Sequence, residues 1–160
     1  MIRKVLPADI ATITAIYNYY IKNTCITFET EPVTEEEMTK RMEAISSHYP
    51  YLVMEEEGQL IGYCYAHAWK EKKAYERTAE VTIYLHPDFH KKGYGKKLLT
   101  ALIETCRNHS LHVLIACITV PNAPSVRLHE TLGFRQVSRF NEVGKKFGQW
   151  LDIYDFQLIL

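Results

Sequence analysis

The chain has 160 residues, 47% of them hydrophobic, and its 19 basic and 19 acidic side chains cancel to zero net charge. This length and composition suit one domain over 1–160 with a core of its own. The charge balance excludes bulk nucleic-acid binding, which needs a cationic excess. No apolar run approaches the ~20 residues of a membrane span, and the start MIRKVLPADI lacks the apolar centre of a signal peptide. The four cysteines, Cys25, Cys64, Cys106 and Cys117, are scattered and include no CxxC pair. A reduced cytoplasmic protein with no membrane or nucleic-acid partner is therefore expected.

Met1 to Leu6 reads as a short strand. Asp9 is the predicted N-cap of a helix whose apolar residues Ile10, Ile13, Ile16, Tyr17 and Tyr20 recur at helical spacing. Residues 24–32 read as a loop. Thr34-Glu35-Glu36-Glu37 matches a capping box, with a helix following through Met38, Met42 and Ile45. Tyr51 to Glu55 and Leu60 to Trp69 read as two strands around a Glu57-Gly58-Gln59 turn. Thr78 to Leu85 is a predicted strand, Tyr94 to Asn108 a helix and Val113 to Thr119 a buried strand. Cys64 and Cys117 lie in these apolar strands and read as small core residues. Pro121-Asn122-Ala123-Pro124 breaks the chain before a short helix that ends at Gly133. Trp150 to Leu160 alternates as a long strand. The order β-α-α-β-β-β-α-β-α-β-β predicts an α/β domain with a mixed sheet, antiparallel early and with a strand-helix-strand unit later.

The stretch HPDFHKKGYGKK joins a strand to a helix. Glycine permits close approach of the backbone, and a helix start presents unpaired N–H groups at the positive end of its dipole, a natural phosphate site. Lys91, Lys92, Lys96 and Lys97 add charge. A P-loop is excluded because no glycine lies five residues before Gly95 and Lys97 replaces the hydroxyl residue. A dinucleotide fingerprint is excluded because Leu98 occupies its third glycine position. A pyrophosphate turn remains, beside a solvated helix start with incidental glycines. His86 and His90 form HxxxH around Pro87 without a helix or a third ligand, so no metal is expected.

One helix and one strand later, Asn122-Ala123-Pro124-Ser125 begins a segment closing on Gly133-Phe134. The glycine loop and this segment, in order, resemble the GNAT superfamily of N-acetyltransferases. Trp69-Lys70 with Ala74-Tyr75 and Thr78-Ala79-Glu80, Phe28-Glu29-Thr30-Glu31-Pro32, and Gly148-Gln149-Trp150-Leu151-Asp152 resemble the WKxxxAYxxTAE, FxTEP and GxWxD stretches of the phosphinothricin and methionine sulfoximine N-acetyltransferases within it. The resemblance implies the GNAT fold, a central mixed sheet flanked by helices, with acetyl-CoA between two splayed parallel strands. It implies that Ile83, Tyr84 and Leu85 offer backbone groups to the pantetheine arm. His90, Lys91, Lys92, Gly93, Tyr94, Gly95 and Lys96 hold the pyrophosphate, and Asn122 with Ser125 contacts the cofactor arm. His90 replaces the family's usual Gln or Arg, and a neutral imidazole still donates one hydrogen bond.

Acetylating an amine with a thioester needs a base for the ammonium, donors for the developing oxyanion and a proton for the leaving thiolate. Glu80 is the candidate base: the strand's alternation favours a small or apolar residue there, and the resembled family has its proposed base at this position. A strand-edge glutamate facing solvent is the plain alternative. The oxyanion donor is expected to be a backbone N–H of the same strand, with Leu85 the candidate. His129, seven residues after Asn122, stands where many GNAT enzymes have tyrosine; it is either the acid for the thiolate or a packing residue. Phe28, Lys70, Lys72 and Tyr75 match positions around the acceptor in the resembled enzymes and point to a small anionic amino acid. Lys72 replaces the family's Arg and gives a point charge in place of a bidentate fork. The resemblance also implies a homodimer with the C-terminal strands near the interface; Phe147, Trp150 and Tyr154 serve there or in the core. A polyamine, aminoglycoside or protein N-terminus as acceptor, and a non-catalytic acyl-CoA-binding module, are the alternatives.

Overall fold

The computed structural model describes residues 1–90 and 92–160. Seven strands form one sheet: β1 (Ile2–Lys4), β2 (Tyr51–Glu56), β3 (Gln59–Ala68), β4 (Thr78–Leu85), β5 (Val113–Val120), β6 (Arg135–Lys146) and β7 (Gln149–Ile159). Their spatial order is β1-β2-β3-β4-β5-β7-β6. Neighbours run antiparallel except β4 and β5. Helices α1 (Ile10–Asn23), α2 (Glu35–Ser46), α3 (Tyr94–Asn108) and α4 (Ala123–Thr131) complete the mixed α/β fold.

The apolar spacing of α1 and α2 sends Ile13, Ile16, Tyr20, Met38 and Met42 onto one face of the sheet, against Val53, Leu60 and Tyr63. On the other face Leu98, Leu99, Leu102 and Cys106 of α3 pack against Ile61, Cys64, Ala79, Val81, Leu114 and Phe156. Sheet and helices are thus buried on both sides, as a parallel pair requires.

Strands β4 and β5 pair only over Thr78–Glu80 and Val113–Ile115. Beyond that, β4 stays with β3 as far as Leu85, while β5 stays with β7 as far as Val120. Each strand keeps its outer partner, so the two diverge and open a gap from Val81 and Ala116 onward.

Asp9 stands at the N-cap of α1 as predicted, but its side chain makes no capping bond to that helix. Its Oδ2 accepts from the Leu6 N–H at 2.7 Å, and the carboxylate takes two bonds from the Arg3 guanidinium, both at 2.8 Å. Arg3 donates to Glu55 as well. These bonds hold the buried Asp9 carboxyl below the usual carboxylate range despite its desolvation. Asp9→Asn is expected to cost about 2 kcal/mol near neutral pH, the scale of hydrogen bonds to charged groups. A depressed folded pKa contributes stability that is present above the unfolded carboxylate pKa and is lost as pH falls through the folded value. Urea unfolding of parent and variant should therefore differ near neutrality and converge in strong acid.

Candidate active site

The gap between β4 and β5 is a cleft made of two cavities of ≈ 260 and ≈ 370 Å³ that share Ile26, Ile83, Tyr84, Asn122 and Ser125. The inner part is lined by Phe28, Glu80, Thr82, Cys117, Thr119, His129 and Ile153. The outer part is lined by Tyr20, Leu85, His90, Gly93, Gly95, Lys96 and Leu128.

Strand parity decides what β4 shows the cleft. The His86 N–H bonds to Ile61 O of β3 at 2.8 Å. Residues of the same parity, Tyr84 among them, turn their backbone groups towards β3, opposite Tyr63. Ile83 and Leu85 point theirs the other way, along the edge that β5 has left. Ile83 and Leu85 thus turn backbone groups to the cleft, whereas Tyr84 offers it a side chain that packs edge-on against Tyr17 and tilted against Tyr20 of α1.

Tyr20 fixes the end of this edge. Its hydroxyl donates to Leu85 O at 2.6 Å, and having one proton it must accept from His90 Nε2 at 2.7 Å. The single donor of a neutral His90 is thus spent on Tyr20, not left for a ligand. Gly93 has φ +77°, the left-handed geometry that swings the chain into the first turn of α3. A Cβ on Gly95 would only reach ordinary contact with Leu128 and Leu85. Tyr94 packs on Phe89, and the Lys92 ammonium lies 4.9 Å over the Phe89 ring. Lys91 lies outside the described residues.

At the start of α4, Asn122 Oδ1 accepts from the Ser125 N–H at 3.3 Å, an N-cap that leaves the amide NH₂ for the cleft. His129 is buried one turn on. Its Nδ1 donates to Ser125 O at 2.8 Å, and the Phe134 ring packs edge-on against it. Burial lowers its pKa. Neutral His129 therefore carries its proton on Nδ1 and presents a bare Nε2. An acid role would require the imidazolium, which this burial disfavours.

Glu80 sits where the strands begin to part, with 30% of its side chain exposed. Desolvation raises its pKa, and the Asp155 carboxylate adds to this, while His67 opposes it. His67 is its cross-strand partner, with Nε2 3.9 Å from Oε1. The His67 Nδ1 faces its neighbour's carbonyl, Ala68 O, at 3.0 Å. Asp155 accepts from Ser138 Oγ at 2.9 Å. Cys117, between Glu80 and Asp155, opens onto the cleft and is not a core residue as expected from sequence; burial around its sulfur and the two carboxylates push its pKa up to about 12, so it stays a thiol. Cys64 is buried as expected.

The acceptor-side lysines are not brought to this cleft. Lys70 and Lys72 lie on the exposed loop before β4, and among the described residues no lysine or arginine lines the inner cavity. The Lys70 ammonium is instead 4.3 Å over the Trp69 ring and 5.4 Å over that of Tyr75. Phe28 does line the inner cavity, on the segment that crosses it. Among the described residues no group of three or more His, Cys, Asp or Glu side chains is arranged to hold a metal ion, and no helix is long and apolar enough to cross a membrane.

Residues 2–154 match the family described as "Acetyltransferase (GNAT) domain". The chain is 37% identical to a phosphinothricin N-acetyltransferase of Streptomyces viridochromogenes, over 98% of this chain and 88% of that protein. It is 39% identical to an L-methionine sulfoximine/L-methionine sulfone acetyltransferase of Salmonella typhimurium, over 96% and 90%. Among solved structures, a GNAT superfamily phosphinothricin acetyltransferase from Sinorhizobium meliloti in complex with AcCoA superposes with a TM-score of 0.97 at 37% identity, covering 100% of this chain and 88% of that one. Agreement over nearly the full length, in sequence and in backbone, makes this chain a member of the GNAT acetyltransferase family.

Proposed function

We propose that this enzyme transfers the acetyl group of acetyl-CoA to the α-amine of a small amino acid of the phosphinothricin or methionine sulfoximine type, by direct transfer in a ternary complex. The observation that carries this reading is Glu80: a carboxylate with a raised pKa at the point where the cofactor cleft meets the acceptor space. Two relatives that match nearly the whole chain, the phosphinothricin and the methionine sulfoximine enzymes, act on such amino acids by their names.

The cleft suits the donor on three counts. The edge of β4 offers an amide-rich arm the Ile83 backbone groups and the Leu85 N–H, the Leu85 carbonyl being held by Tyr20. The turn at Gly93, Tyr94 and Gly95 opens α3 with unpaired N–H groups, and Lys96 stands beside it. The Asn122 amide and Ser125 face the same cleft. Bound there, acetyl-CoA supplies an activated thioester carbonyl. Glu80 takes the proton of the acceptor ammonium, directly or through water; its raised pKa makes it a stronger base for that purpose than an ordinary carboxylate. The Leu85 N–H, on the residue whose carbonyl Tyr20 holds, is the donor for the oxygen on which negative charge develops. Neutral His129 holds Ser125 and the start of α4 in place. Phe28 borders the acceptor.

The free cysteines fit a reduced, cytoplasmic setting. Phe140, Val143, Phe147 and Trp150 stand exposed on the β6–β7 hairpin, Phe147 by 61% and Trp150 by 60%. Such an apolar surface suits a second copy of the chain, so a homodimer formed through this hairpin is part of the proposal.

A thiol-release assay with acetyl-CoA tests the reading. Phosphinothricin, methionine sulfoximine and methionine sulfone are expected to be turned over, with spermidine, an aminoglycoside and a peptide N-terminus inert. Turnover confined to the latter group would overturn the acceptor class. Binding of CoA with no turnover of any amine would favour a non-catalytic module.

A further inference from the structure

The roof of the acceptor space is the segment Ile26–Phe28, which belongs to no helix or strand and is held from three directions. From the sheet below, Thr119 Oγ1 donates to Ile26 O at 3.3 Å. From α1, the Tyr17 hydroxyl lies 3.0 Å from Thr27 Oγ1. From the hairpin, Lys146 Nζ donates to Thr27 O at 2.8 Å. Lys146 is only 3% exposed and has no carboxylate within ion-pair distance among the described residues. A desolvated cation bonded to a main-chain carbonyl is a costly way to fasten a loop, and it fastens this loop where the loop lines the cleft.

Beside Lys146 the same hairpin carries Gly144. Its φ is not in the left-handed region, so backbone freedom is not what the glycine supplies. What it supplies is space. A Cβ there would overlap Phe28 Cε2 and lie 2.5 Å from Cζ and 2.8 Å from Cδ2. The outer edge of the Phe28 ring, 38% exposed, therefore rests against the bare backbone of β6 at Gly144. With Thr27 tied to Lys146, the ring cannot yield by moving with its whole segment.

We propose that Gly144 is a specificity-determining position for the acceptor: by letting Phe28 rest on the hairpin, it opens the room in which the acceptor's side chain lies. Gly144 itself touches no reacting atom and acts through the ring. The inference rests on the amino-acid acceptor proposed above. It predicts that Gly144→Ala turns the Phe28 ring into the inner cavity and shortens the side chain that fits.

The test measures kcat/KM for a series of L-amino acids of increasing side-chain length, from alanine through norvaline to methionine sulfone, with parent, Gly144→Ala and Gly144→Ala/Phe28→Ala. Pocket contacts of about one methylene discriminate roughly 10- to 200-fold. Gly144→Ala should therefore lose at least about tenfold on the longest substrate relative to the shortest, with the KM for acetyl-CoA unchanged. The double variant, which has no ring to displace, should regain the long substrate. An equal loss on every acceptor, or no regain in the double variant, would overturn the proposal and leave Gly144 a purely structural residue. If the parent itself turns over no amino acid, the acceptor reading fails instead. A crystal structure of Gly144→Ala then decides this inference alone: a ring in the cavity supports it, and a ring turned to solvent ends it.

Discussion

Glu80→Gln is expected to lower kcat for amine acetylation by about 10²–10⁴-fold, the usual contribution of a positioned general base, while leaving CoA affinity as it was. The two effects separate because Glu80 lines the inner cavity and not the outer one, where the Ile83–Leu85 edge and the glycine turn lie. Glutamine keeps the size of the side chain and its hydrogen-bonding reach and removes only the basicity. Isothermal titration with CoA and a thiol-release assay on the same preparation read the two halves. Unchanged turnover would remove Glu80 from the mechanism.

The same substitution has a signature in pH. Desolvation and Asp155 raise the Glu80 pKa, so the acid limb of kcat/KM should lie above the ordinary carboxylate range in the parent and vanish in Glu80→Gln. Stability should move in the opposite direction from activity. A carboxyl whose pKa is higher folded than unfolded binds its proton more tightly in the native state. Its burial costs nothing below the unfolded pKa and costs most above the folded one. Glu80→Gln should therefore melt higher than the parent near neutrality, by about 2–4 °C for each kcal/mol relieved in a chain of this size, and melt together with it in acid. A variant that loses both activity and melting temperature would point to a structural role for the carboxylate.

Elements whose identity is written in local pattern were legible in the sequence. Strand β4 and helix α3 begin and end at the predicted residues because Thr78–Leu85 is bounded by a charged loop and His86-Pro87, and because Leu98, Leu99, Leu102, Ile103 and Cys106 keep strict helical spacing after a glycine start. The cleft-facing side of β5 was not legible. Ile115 and Cys117 alternate with Leu114, Ala116 and Ile118, and this near-continuous apolar run does not mark one face as the core and the other as the cleft. Nothing in that pattern says that Cys117 meets the cleft. The facing of His67 and Glu80 depends on the β3–β4 register, which a loop of nine residues, 69–77, does not set as a two-residue turn would. Lys146, between Lys145 and Phe147, has the look of a solvated strand end; its burial comes from Thr27, 119 residues away in sequence. The lysines of the 69–77 loop show the converse. Their match to acceptor positions of the resembled family implied an anion site, but a sequence match does not say which way a loop leans, and Lys70 leans onto aromatic rings.

Gly62→Ala is expected to cost about 1–3 kcal/mol of stability, the range for forcing a methyl into a packed core, and to weaken acetyl-CoA binding along with it. Gly62 lies opposite Leu85 in the β3–β4 pair. It falls at a non-hydrogen-bonded site, where the two strands come closest. A Cβ there would lie 2.5 Å from Leu85 Cδ2 and 2.9 Å from Tyr84 O. The leucine tip can swing aside, but the carbonyl belongs to the strand and can yield only if β4 shifts. Any such shift is felt at the cleft, because Leu85 is the residue whose carbonyl Tyr20 holds and whose N–H faces the gap. Gly95→Ala is the informative partner. Its added methyl meets Leu128 and Leu85 at 3.4 and 3.5 Å, ordinary contact distances, so stability should hold. Thermal melts with and without acetyl-CoA distinguish the two: Gly62→Ala should melt lower in both conditions and gain less from the ligand, whereas Gly95→Ala should match the parent without ligand. If Gly62→Ala melts like the parent, then β4 has room to move at Leu85, and the rigid edge on which the oxyanion donor depends is not there.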